Sequence, residues 1–408
     1  MTAREYPVFT VTPKAERSLR AGHPWVYGEE VTAVEGAYQN GDMVDVVSNK
    51  GRYLGTGWVN DHSKIRVRII SRNANDTFDE AFFRRRVCYA LNYRKTVMGP
   101  VDYRCCRLIF GEADQFPGLT VDRFENILVT QVLSLGMERR KDWVYRALVE
   151  LLREDGEQID AIYERNDVTI RTLEGLEQGK GFYQMEGLRT DLSGHVTITE
   201  NGIKYDVDYM EGQKTGFFLD QKYNRQAAAK LARGRRVLDC FTHTGAFALN
   251  AAAAGAEHVT AVDVSAFALE LAAENGKRNG LTNLDYKCAD VFDLLTEMAK
   301  EKKCDYDYII LDPPAFTKSR ATAKNAYHGY KEINRKAMRL LPRGGYLATC
   351  SCSHFMTDEM FRKMLQEAAL DAGVTLRQIE ARQQAPDHPI LPEVPETDYL
   401  KFYLLQVV

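Results

Sequence analysis

The fold of this chain is decided by one stretch, Val237-Leu238-Asp239-Cys240-Phe241-Thr242-His243-Thr244-Gly245-Ala246-Phe247. It predicts a short buried strand, then a loop with a glycine, then an Ala-rich helix over residues 246–254. A nucleotide-like ligand binds a parallel sheet beyond the carboxyl ends of its strands, where a glycine lets it approach the backbone. The stretch therefore predicts an α/β domain with a cofactor loop that includes Asp239, Phe241 and Gly245.

Strand and helix patterns alternate from about Leu192 onward. Such alternation is typical of a doubly wound parallel sheet, in which helices connect neighbouring strands. The predicted elements are strands at Val259–Val262, Tyr308–Leu311, Tyr346–Thr349 and Lys401–Val408 and a helix at Ser265–Asn279. We expect residues 192–408 to form a Rossmann-like α/β domain.

The length of the chain predicts further domains, because 408 residues exceed what one hydrophobic core normally supports. Residues 1–74 contain short β-segments separated by turns, which predicts a small β-barrel. These segments are Val8–Val11, Met43–Ser48, Tyr53–Val59 and Ile65–Ile70. In the last segment Arg66 and Arg68 alternate with apolar residues, so one face of that strand is predicted to be basic.

Residues 75–191 are predicted to form a compact middle domain of the α+β class. The pattern favours helices at Glu80–Lys95 and Arg140–Arg153 and strands at Cys106–Phe110, Ile127–Leu133 and Ala161–Glu164. The segment Phe110–Arg123 contains Gly and Pro residues and is predicted as a loop, either structural or in contact with RNA.

Composition excludes several classes of protein. The chain is 45% hydrophobic and 27% charged, as in ordinary soluble globular proteins. No apolar run approaches the roughly 20 residues of a membrane span, and residues 1–10 lack the features of a signal peptide. The eight cysteines include no C-x-x-C pair, which disfavours a disulfide framework or a zinc site. We expect a cytoplasmic protein with no membrane span and no metal.

Charge is distributed unevenly along the chain. The net charge is −3, yet residues 1–110 carry 17 Lys and Arg against 12 Asp and Glu. A basic front end can attract phosphate groups, although a solvated charged surface is the commoner explanation of such an excess.

Two further acidic residues follow later strands of the α/β domain. Asp263 ends the strand after the cofactor loop, 24 residues beyond Asp239, a spacing that suits contact with ribose hydroxyls. Asp290 lies where class I methyltransferases present a carboxylate or backbone group to an adenine amino group. The phosphate-cradling G-x-G-x-x-G of nicotinamide enzymes is absent, which favours S-adenosylmethionine, a cofactor without phosphate. Taken singly, each acid could instead be a solvated strand-end residue.

A stiff loop, Asp312-Pro313-Pro314-Ala315-Phe316, follows the predicted strand Tyr308–Leu311. Its prolines hold a carboxylate and an aromatic ring in a fixed relation. A flipped base can stack on the ring of Phe316, beside Pro313, while its polar edge meets Asp312. The loop resembles the D-P-P-aromatic loops of enzymes that methylate exocyclic amines. That resemblance implies methylation of a nucleic-acid base without fixing the methylated atom, and a simple proline-rich turn is the structural alternative.

A cysteine would decide which atom is methylated. Carbon 5 of a pyrimidine is too weak a nucleophile to take a methyl group directly, so enzymes that methylate it first add a thiolate to carbon 6. The predicted strand Tyr346–Thr349 runs into Cys350-Ser351-Cys352-Ser353, which places two thiols at the carboxyl end of the sheet. Either thiol could instead be a buried, unreactive one.

Several segments of the chain resemble a bacterial group of 23S ribosomal RNA 5-methylcytosine methyltransferases. The most specific is Gly212–Arg225, which precedes the cofactor loop, and others are Gly22–Tyr27, Phe110–Arg123 and residues 387–400. The resemblance implies a PUA-like RNA-binding module at residues 1–74 and S-adenosylmethionine as the cofactor. It also implies that the partner is 23S ribosomal RNA or a large-subunit particle.

The same resemblance implies roles for particular residues. Counted from Gly344-Gly345, Cys352 occupies the place of the nucleophile, and Cys352-Ser353 matches the Cys-Ser pair of RNA 5-methylcytosine methyltransferases. Pro314 stands where related enzymes carry a second cysteine, as in the single-cysteine ribosomal group, and no residue is assigned to removal of the carbon-5 proton. The residues implied to lie near the cofactor are Thr215, Phe217 and Arg225.

Two other functions stay open from the sequence. A guanine methyltransferase of large-subunit RNA shares much of the Lys214–Arg225 segment and the D-P-P loop, but it gives no reason for Cys352. A non-catalytic RNA-binding assembly factor with a degenerate methyltransferase domain is the alternative of a different class. The sequence is also compatible with a homodimer.

Overall fold

The protein is described by a computed structural model that covers residues 5–301, 304–317, 319 and 322–408. The chain divides into two compact units. Unit 1 comprises Met1–Ile198, Val207–Leu219 and Pro386–Thr397, and unit 2 comprises Thr199–Asp206, Asp220–Ala385 and Asp398–Val408. The domain boundaries 1–74, 75–191 and 192–408 stay a prediction, and residues 1–4 of the first domain lie outside the described residues.

The first part of unit 1 is the small β domain that the sequence predicts. Its strands are β1 (Val8–Val11), β2 (Trp25–Tyr27), β3 (Val31–Glu35), β4 (Met43–Ser48), β5 (Tyr53–Val59) and β6 (Ile65–Ser71), with helix α1 (Pro13–Ala21) between β1 and β2. They form one sheet in the order β2-β6-β5-β4-β1-β3. Helix α1 begins where the Thr12 hydroxyl accepts the amide hydrogen of Ala15, and it ends at Gly22, whose φ is +118°.

The predicted basic face of β6 is neutralised by acidic partners. The guanidinium of Arg66 donates to Asp61 over 2.8 Å, and that of Arg68 donates to Glu174 over 2.8 Å. A second carboxylate, that of Glu112, lies 3.4 Å from Arg68. The alternating arginines therefore form ion pairs that offset the charge of this strand face, and the sequence does not reveal these partners.

The middle part of unit 1 has the predicted α+β character. Its elements are α2 (Glu80–Val97), β7 (Cys105–Phe110), β8 (Leu119–Phe124), β9 (Ile127–Val132), α3 (Leu135–Glu138), α4 (Lys141–Glu154), β10 (Ala161–Asn166) and β11 (Gly179–Phe182). The strands form a sheet in the order β11-β10-β9-β8-β7. Within the segment Phe110–Arg123, β8 begins at Leu119, after the Gly and Pro residues, and pairs with both β7 and β9.

Unit 2 contains the doubly wound sheet. A two-stranded hairpin of β12 (His195–Glu200) and β13 (Ile203–Asp208) precedes the sheet in the chain. The sheet strands are β14 (Arg236–Cys240), β15 (His258–Asp263), β16 (Leu284–Cys288), β17 (Tyr308–Leu311), β18 (Tyr346–Ser351), β19 (Leu376–Arg382) and β20 (Lys401–Val407). The helices are α5 (Lys222–Ala229), α6 (Ala246–Ala253), α7 (Ala266–Arg278), α8 (Val291–Glu301), α9 (Ala323–Leu340) and α10 (Asp358–Ala372).

The strand order of this sheet is β16-β15-β14-β17-β18-β20-β19. Strands β14 to β18 are parallel, whereas β20 runs antiparallel to β18 and β19. Alternate residues of β14 face two different apolar clusters, Val237 one and Leu238 the other, so both faces of the sheet are covered. The carboxyl ends of β14, β15, β17 and β18 therefore meet at one edge, where the predicted site residues follow the strands.

Candidate active site

The cofactor loop turns sharply between β14 and α6. Gly245 has a φ of +84°, and a Cβ there would lie 3.0 Å from the Cβ of Ala272 and 3.1 Å from a methyl carbon of Leu249. The positive φ favours glycine at this position, and the close contacts leave little room for a side chain. Phe241 and His243 also have positive φ, 63° and 52°. The loop is thus held in a backbone conformation that few sequences adopt, as is typical of ligand-binding loops.

Asp239 stabilises the inside of this loop. Its side chain is fully buried, and one carboxyl oxygen accepts the hydroxyl hydrogen of Thr242 over 2.5 Å. The other oxygen has no hydrogen-bond partner among the described residues. Burial, with a smaller contribution from Asp312 and Asp263, raises the pKa of Asp239 to about 7. Asp239 therefore holds the loop through Thr242, and its contact with a cofactor stays a prediction.

Asp263 connects the first two loops of the edge. Its carboxylate accepts the amide hydrogen of His243 over 2.9 Å and that of Ser265 over 3.0 Å. The backbone oxygen of Asp263 accepts the amide hydrogen of Ala289 over 3.0 Å. The residue that follows β16 therefore lies beside Asp263. Two carboxylate oxygens with remaining acceptor capacity suit a ribose diol.

An exposed apolar residue that the sequence did not point to, Val264, follows Asp263 directly in the chain. Val264 is 63% exposed, and the Cys288 thiol donates to its carbonyl oxygen over 3.4 Å. Asp290 is exposed and caps α8 by accepting the amide hydrogens of Phe292 and Asp293. Asp263 suits the ribose of an adenosine, Val264 suits the face of its adenine ring, and Asp290 suits its amino group. These residues therefore fit S-adenosylmethionine.

Asp312 lies at the end of β17 within a hydrogen-bonded network. The side-chain amide of Gln221 donates to its carboxyl group over 3.0 Å, and Asn224 in turn donates to Gln221 over 2.7 Å. Burial, followed by the nearby carboxylate of Asp220, raises the pKa of Asp312 to about 6. A carboxyl group with this pKa can accept or share a proton near neutral pH. Gln221 was not identified from the sequence, since amides in a mixed polar segment carry no distinctive signal.

The aromatic residue of the D-P-P loop is half-buried. The ring of Phe316 packs 4.5 Å from the ring of Tyr330 and 5.8 Å from that of Phe292, measured between centroids. Pro313 is buried, whereas Pro314 is exposed. The loop is therefore fixed by packing on one side, and stacking of a base on Phe316 stays a prediction.

The two candidate thiols have different environments. Cys350 is fully buried within β18, and burial raises the pKa of its thiol well above the ordinary value, with a further contribution from Asp312. Cys352 lies just beyond the last residue of β18 and is half-buried. The neighbouring Ser353 hydroxyl donates to the carbonyl oxygen of Thr317 over 3.0 Å. That bond places the Cys352 segment against the chain that follows Phe316.

Three residues predicted to contact the cofactor have protein partners. Arg225 donates two hydrogen bonds to Glu200, over 2.7 and 2.9 Å, and both side chains are buried. Thr215 lies in unit 1, where its hydroxyl donates to Asp122 over 2.5 Å, and Asp122 also binds Arg107. Phe217, in the same unit, is buried. None of these contacts tests cofactor binding, so that role stays a prediction.

Two kinds of site are absent from the described part of the chain. Over residues 5–301, 304–317, 319 and 322–408, no cluster of His, Cys, Asp and Glu is suited to a metal ion. No helix in the same ranges is long and apolar enough to cross a membrane. All eight cysteines lie in these ranges, and none forms a disulfide.

Both predicted functional domains match known families. Residues 9–72 match the PUA-like domain, and residues 183–405 match the family of S-adenosylmethionine-dependent methyltransferases. The protein called ribosomal RNA large subunit methyltransferase I from Pseudoalteromonas atlantica is 40% identical over 401 residues, which cover 98% of this chain and 99% of that protein. The protein of the same name from Shewanella denitrificans is 42% identical, with coverage of 97% and 98%.

Solved structures of similar fold are also known. A Sam-dependent methyltransferase from Streptococcus mutans superposes with a TM-score of 0.81 at 22% identity, covering 98% of this chain and all of that one. A methyltransferase crystallised with SAH superposes with a TM-score of 0.82, also at 22% identity and with the same coverage. At this level of identity the likeness supports the fold alone.

Proposed function

We propose that this chain, which belongs to the S-adenosylmethionine-dependent methyltransferase family whose relatives are named ribosomal RNA large subunit methyltransferase I, methylates carbon 5 of a cytosine in 23S ribosomal RNA. The choice of atom rests on one observation: a half-buried thiol, Cys352, directly follows the strand β18, and a hydrogen bond from Ser353 to Thr317 connects its segment to the chain that follows Phe316. Methylation of an exocyclic amine would need no thiol there.

S-adenosylmethionine supplies a methyl group activated by its sulfonium sulfur. In the proposal Asp263 binds the ribose hydroxyls, Val264 contacts the adenine ring and Asp290 meets its amino group. Gly245 has no side chain, so the cofactor can approach the backbone of the loop at this position. Asp239 acts through Thr242 by holding that loop in shape.

The proposed chemistry begins with Cys352. Its thiolate adds to carbon 6 of the cytosine, and the electron pair released makes carbon 5 nucleophilic toward the methyl group. Loss of the carbon-5 proton then expels the thiolate and restores the aromatic ring. The role assigned to Asp312 is to meet the polar edge of the base, where a carboxyl group with a pKa of about 6 can share a proton with the ring nitrogen.

The partner in this proposal is 23S ribosomal RNA or a large-subunit particle, bound in part by the PUA-like domain at residues 9–72. Arg66 and Arg68 are paired with acids in the structure, and the proposal assigns no RNA contact to either of them. A cytoplasmic location follows from the ribosomal substrate. The homodimer stays a prediction without a structural argument.

The decisive experiment is transfer of tritium from labelled S-adenosylmethionine to unmodified 23S RNA, followed by nucleoside analysis. We expect label in 5-methylcytosine with the wild type and with the matched control Cys350→Ala, and none with Cys352→Ala. Full activity of Cys352→Ala would refute the covalent mechanism. Label in a guanine would support the guanine methyltransferase instead, and no label on RNA or particles would favour a binding factor.

A further inference from the structure

A buried lysine lies next to the proposed nucleophile. Lys401 is the first residue of β20, and its backbone is paired with Ser351, the residue before Cys352. Only 4% of Lys401 is exposed. Lysine is rarely buried unless its charge has a partner, so a buried lysine at the catalytic edge of the sheet needs an explanation.

Hydrogen bonds fix the position of its ammonium group. The Nζ atom donates to the carbonyl oxygen of Ser353 over 2.6 Å and to that of Tyr399 over 2.8 Å. Both acceptors are neutral, and no carboxylate of the described ranges forms an ion pair with this ammonium. The ammonium is therefore held against the residue that follows Cys352 without a negative counter-charge in contact.

The charged groups that face Lys401 show what compensates its burial. Burial lowers the pKa of Lys401 to about 8, and three anionic groups oppose this effect, namely Asp398, a thiolate at Cys352 and Asp358. Two of these three groups are carboxylates with hydrogen-bond donors of their own. Asp358 accepts a hydrogen bond from Tyr403, and Asp398 accepts one from Gln383. Electrostatic interaction is reciprocal, so an ammonium that is favoured by the thiolate also favours the thiolate.

We infer that Lys401 is a positioning residue whose ammonium favours the thiolate form of Cys352 and, through the Ser353 carbonyl, holds the Cys352 segment in place. The inference rests on the proposed function, in which this thiolate attacks the base. The thiol proton goes to solvent, and the thiolate sulfur then forms the bond to carbon 6. The ammonium itself forms no bond to the substrate.

The pH dependence of activity follows from this arrangement. Activity rises with pH as Cys352 loses its proton. Lys401→Met moves this rise to higher pH, because the thiolate loses its positive neighbour. Lys401→Arg keeps the charge, so the rise stays close to that of the wild type.

The test measures alkylation of Cys352 by iodoacetamide as a function of pH, with peptides quantified by mass spectrometry. We expect Lys401→Met to alkylate about tenfold more slowly at pH 7, equivalent to one pH unit in the midpoint. Lys401→Arg retains most of the rate, and Lys363→Met, an exposed lysine of α10, serves as the control variant. The exposed thiol of Cys288 is an internal reference whose rate stays constant in every variant.

The outcomes separate this inference from the proposed function. If Cys352→Ala still methylates RNA, the proposed function fails whatever Lys401 does. If Cys352→Ala is inactive but Lys401→Met leaves both the alkylation midpoint and the pH profile unchanged, the inference about Lys401 is wrong. Should Lys401→Met fail to fold, Lys401→Gln takes its place, and an unshifted alkylation midpoint in that variant overturns the inference.

Discussion

The hydroxyl of Ser353 donates to the carbonyl oxygen of Thr317 over 3.0 Å, and both residues are buried. This bond joins two segments that leave neighbouring strands, β17 and β18, at the same edge of the sheet. One segment carries Asp312 and Phe316, and the other carries Cys352. The bond thereby keeps at a fixed separation the Cys352 thiol and the D-P-P loop, which the proposed mechanism brings to the same cytosine.

Ser353→Ala removes this connection while leaving the thiol in place. A net hydrogen bond is worth about 1 kcal/mol, and a small misplacement of reacting groups costs more in rate than in stability. We expect kcat for RNA methylation to fall roughly tenfold, with cofactor affinity unchanged. The measurement is single-turnover methylation combined with titration calorimetry of S-adenosylmethionine.

Thr357→Ala is the control for that experiment. The Thr357 hydroxyl accepts the amide hydrogen of Met360 and caps α10, so its loss also costs about 1 kcal/mol of stability. It should leave kcat near the wild-type value. Equal losses of kcat in the two variants would mean that general destabilisation, and not the bond to Thr317, is responsible.

Asp263→Asn is expected to weaken cofactor binding. The carboxylate accepts two backbone amide hydrogens, and an amide side chain can accept only at its oxygen. Loss of hydrogen bonds to a charged group costs about 1.5–3 kcal/mol, so the Kd for S-adenosylmethionine should rise between tenfold and a hundredfold. Asp285→Asn, an exposed acid on β16 that pairs with His258, should leave the Kd unchanged. Wild-type affinity in Asp263→Asn would remove Asp263 from the cofactor site.

The raised pKa of Asp239 makes stability fall with increasing pH. Its pKa is about 7 in the folded protein against an ordinary value of 3.8, so the folded state binds more protons between these values. The stability that Asp239 contributes is therefore fully present below about pH 4, and this contribution is lost as pH rises through its folded-state pKa of about 7. Asp312, with a pKa of about 6, contributes in the same direction.

Asp239→Asn tests that relationship by removing the ionisable group. The amide oxygen can still accept the Thr242 hydroxyl, so the variant should be more stable than the wild type at pH 8, on the order of 1–3 kcal/mol, and closer to it at pH 5. Thermal unfolding of the cofactor-free protein at both pH values measures the difference. The exposed control Asp285→Asn should show no such trend, and a wild-type pH dependence in Asp239→Asn would contradict the assignment.

The α/β domain was predictable because its signals are local. The apolar run Tyr308–Leu311 is a strand whose four residues are all buried. It pairs in parallel with β14, so Cys240 and Asp312, at the carboxyl ends of the two strands, lie at the same edge of the sheet. The loop glycine Gly245 was recognisable for the same reason, since a strand, a turn and an Ala-rich helix follow one another without interruption.

The sequence did not reveal ion pairs between residues that lie far apart in the chain. In strand β8, Asp122 is buried against Arg107, and Arg123 is buried against Glu157. The sequence likewise gives no sign that Lys401 is buried. Such pairs join residues far apart in the chain, so neither hydrophobic period nor local propensity records them.

The buried pair of Arg225 and Glu200 yields the last prediction, because Arg225 was expected to lie near the cofactor. Arg225→Met leaves the Glu200 carboxylate buried without its partner, which should cost about 3–5 kcal/mol and lower Tm by several degrees. Glu200→Leu/Arg225→Met removes both charges and should recover much of the loss. Arg278→Met, which breaks a more exposed pair with Asp206, should change Tm little. If the double variant is stable and binds S-adenosylmethionine like the wild type, Arg225 is structural; a large loss of affinity in that stable variant would place Arg225 at the cofactor after all.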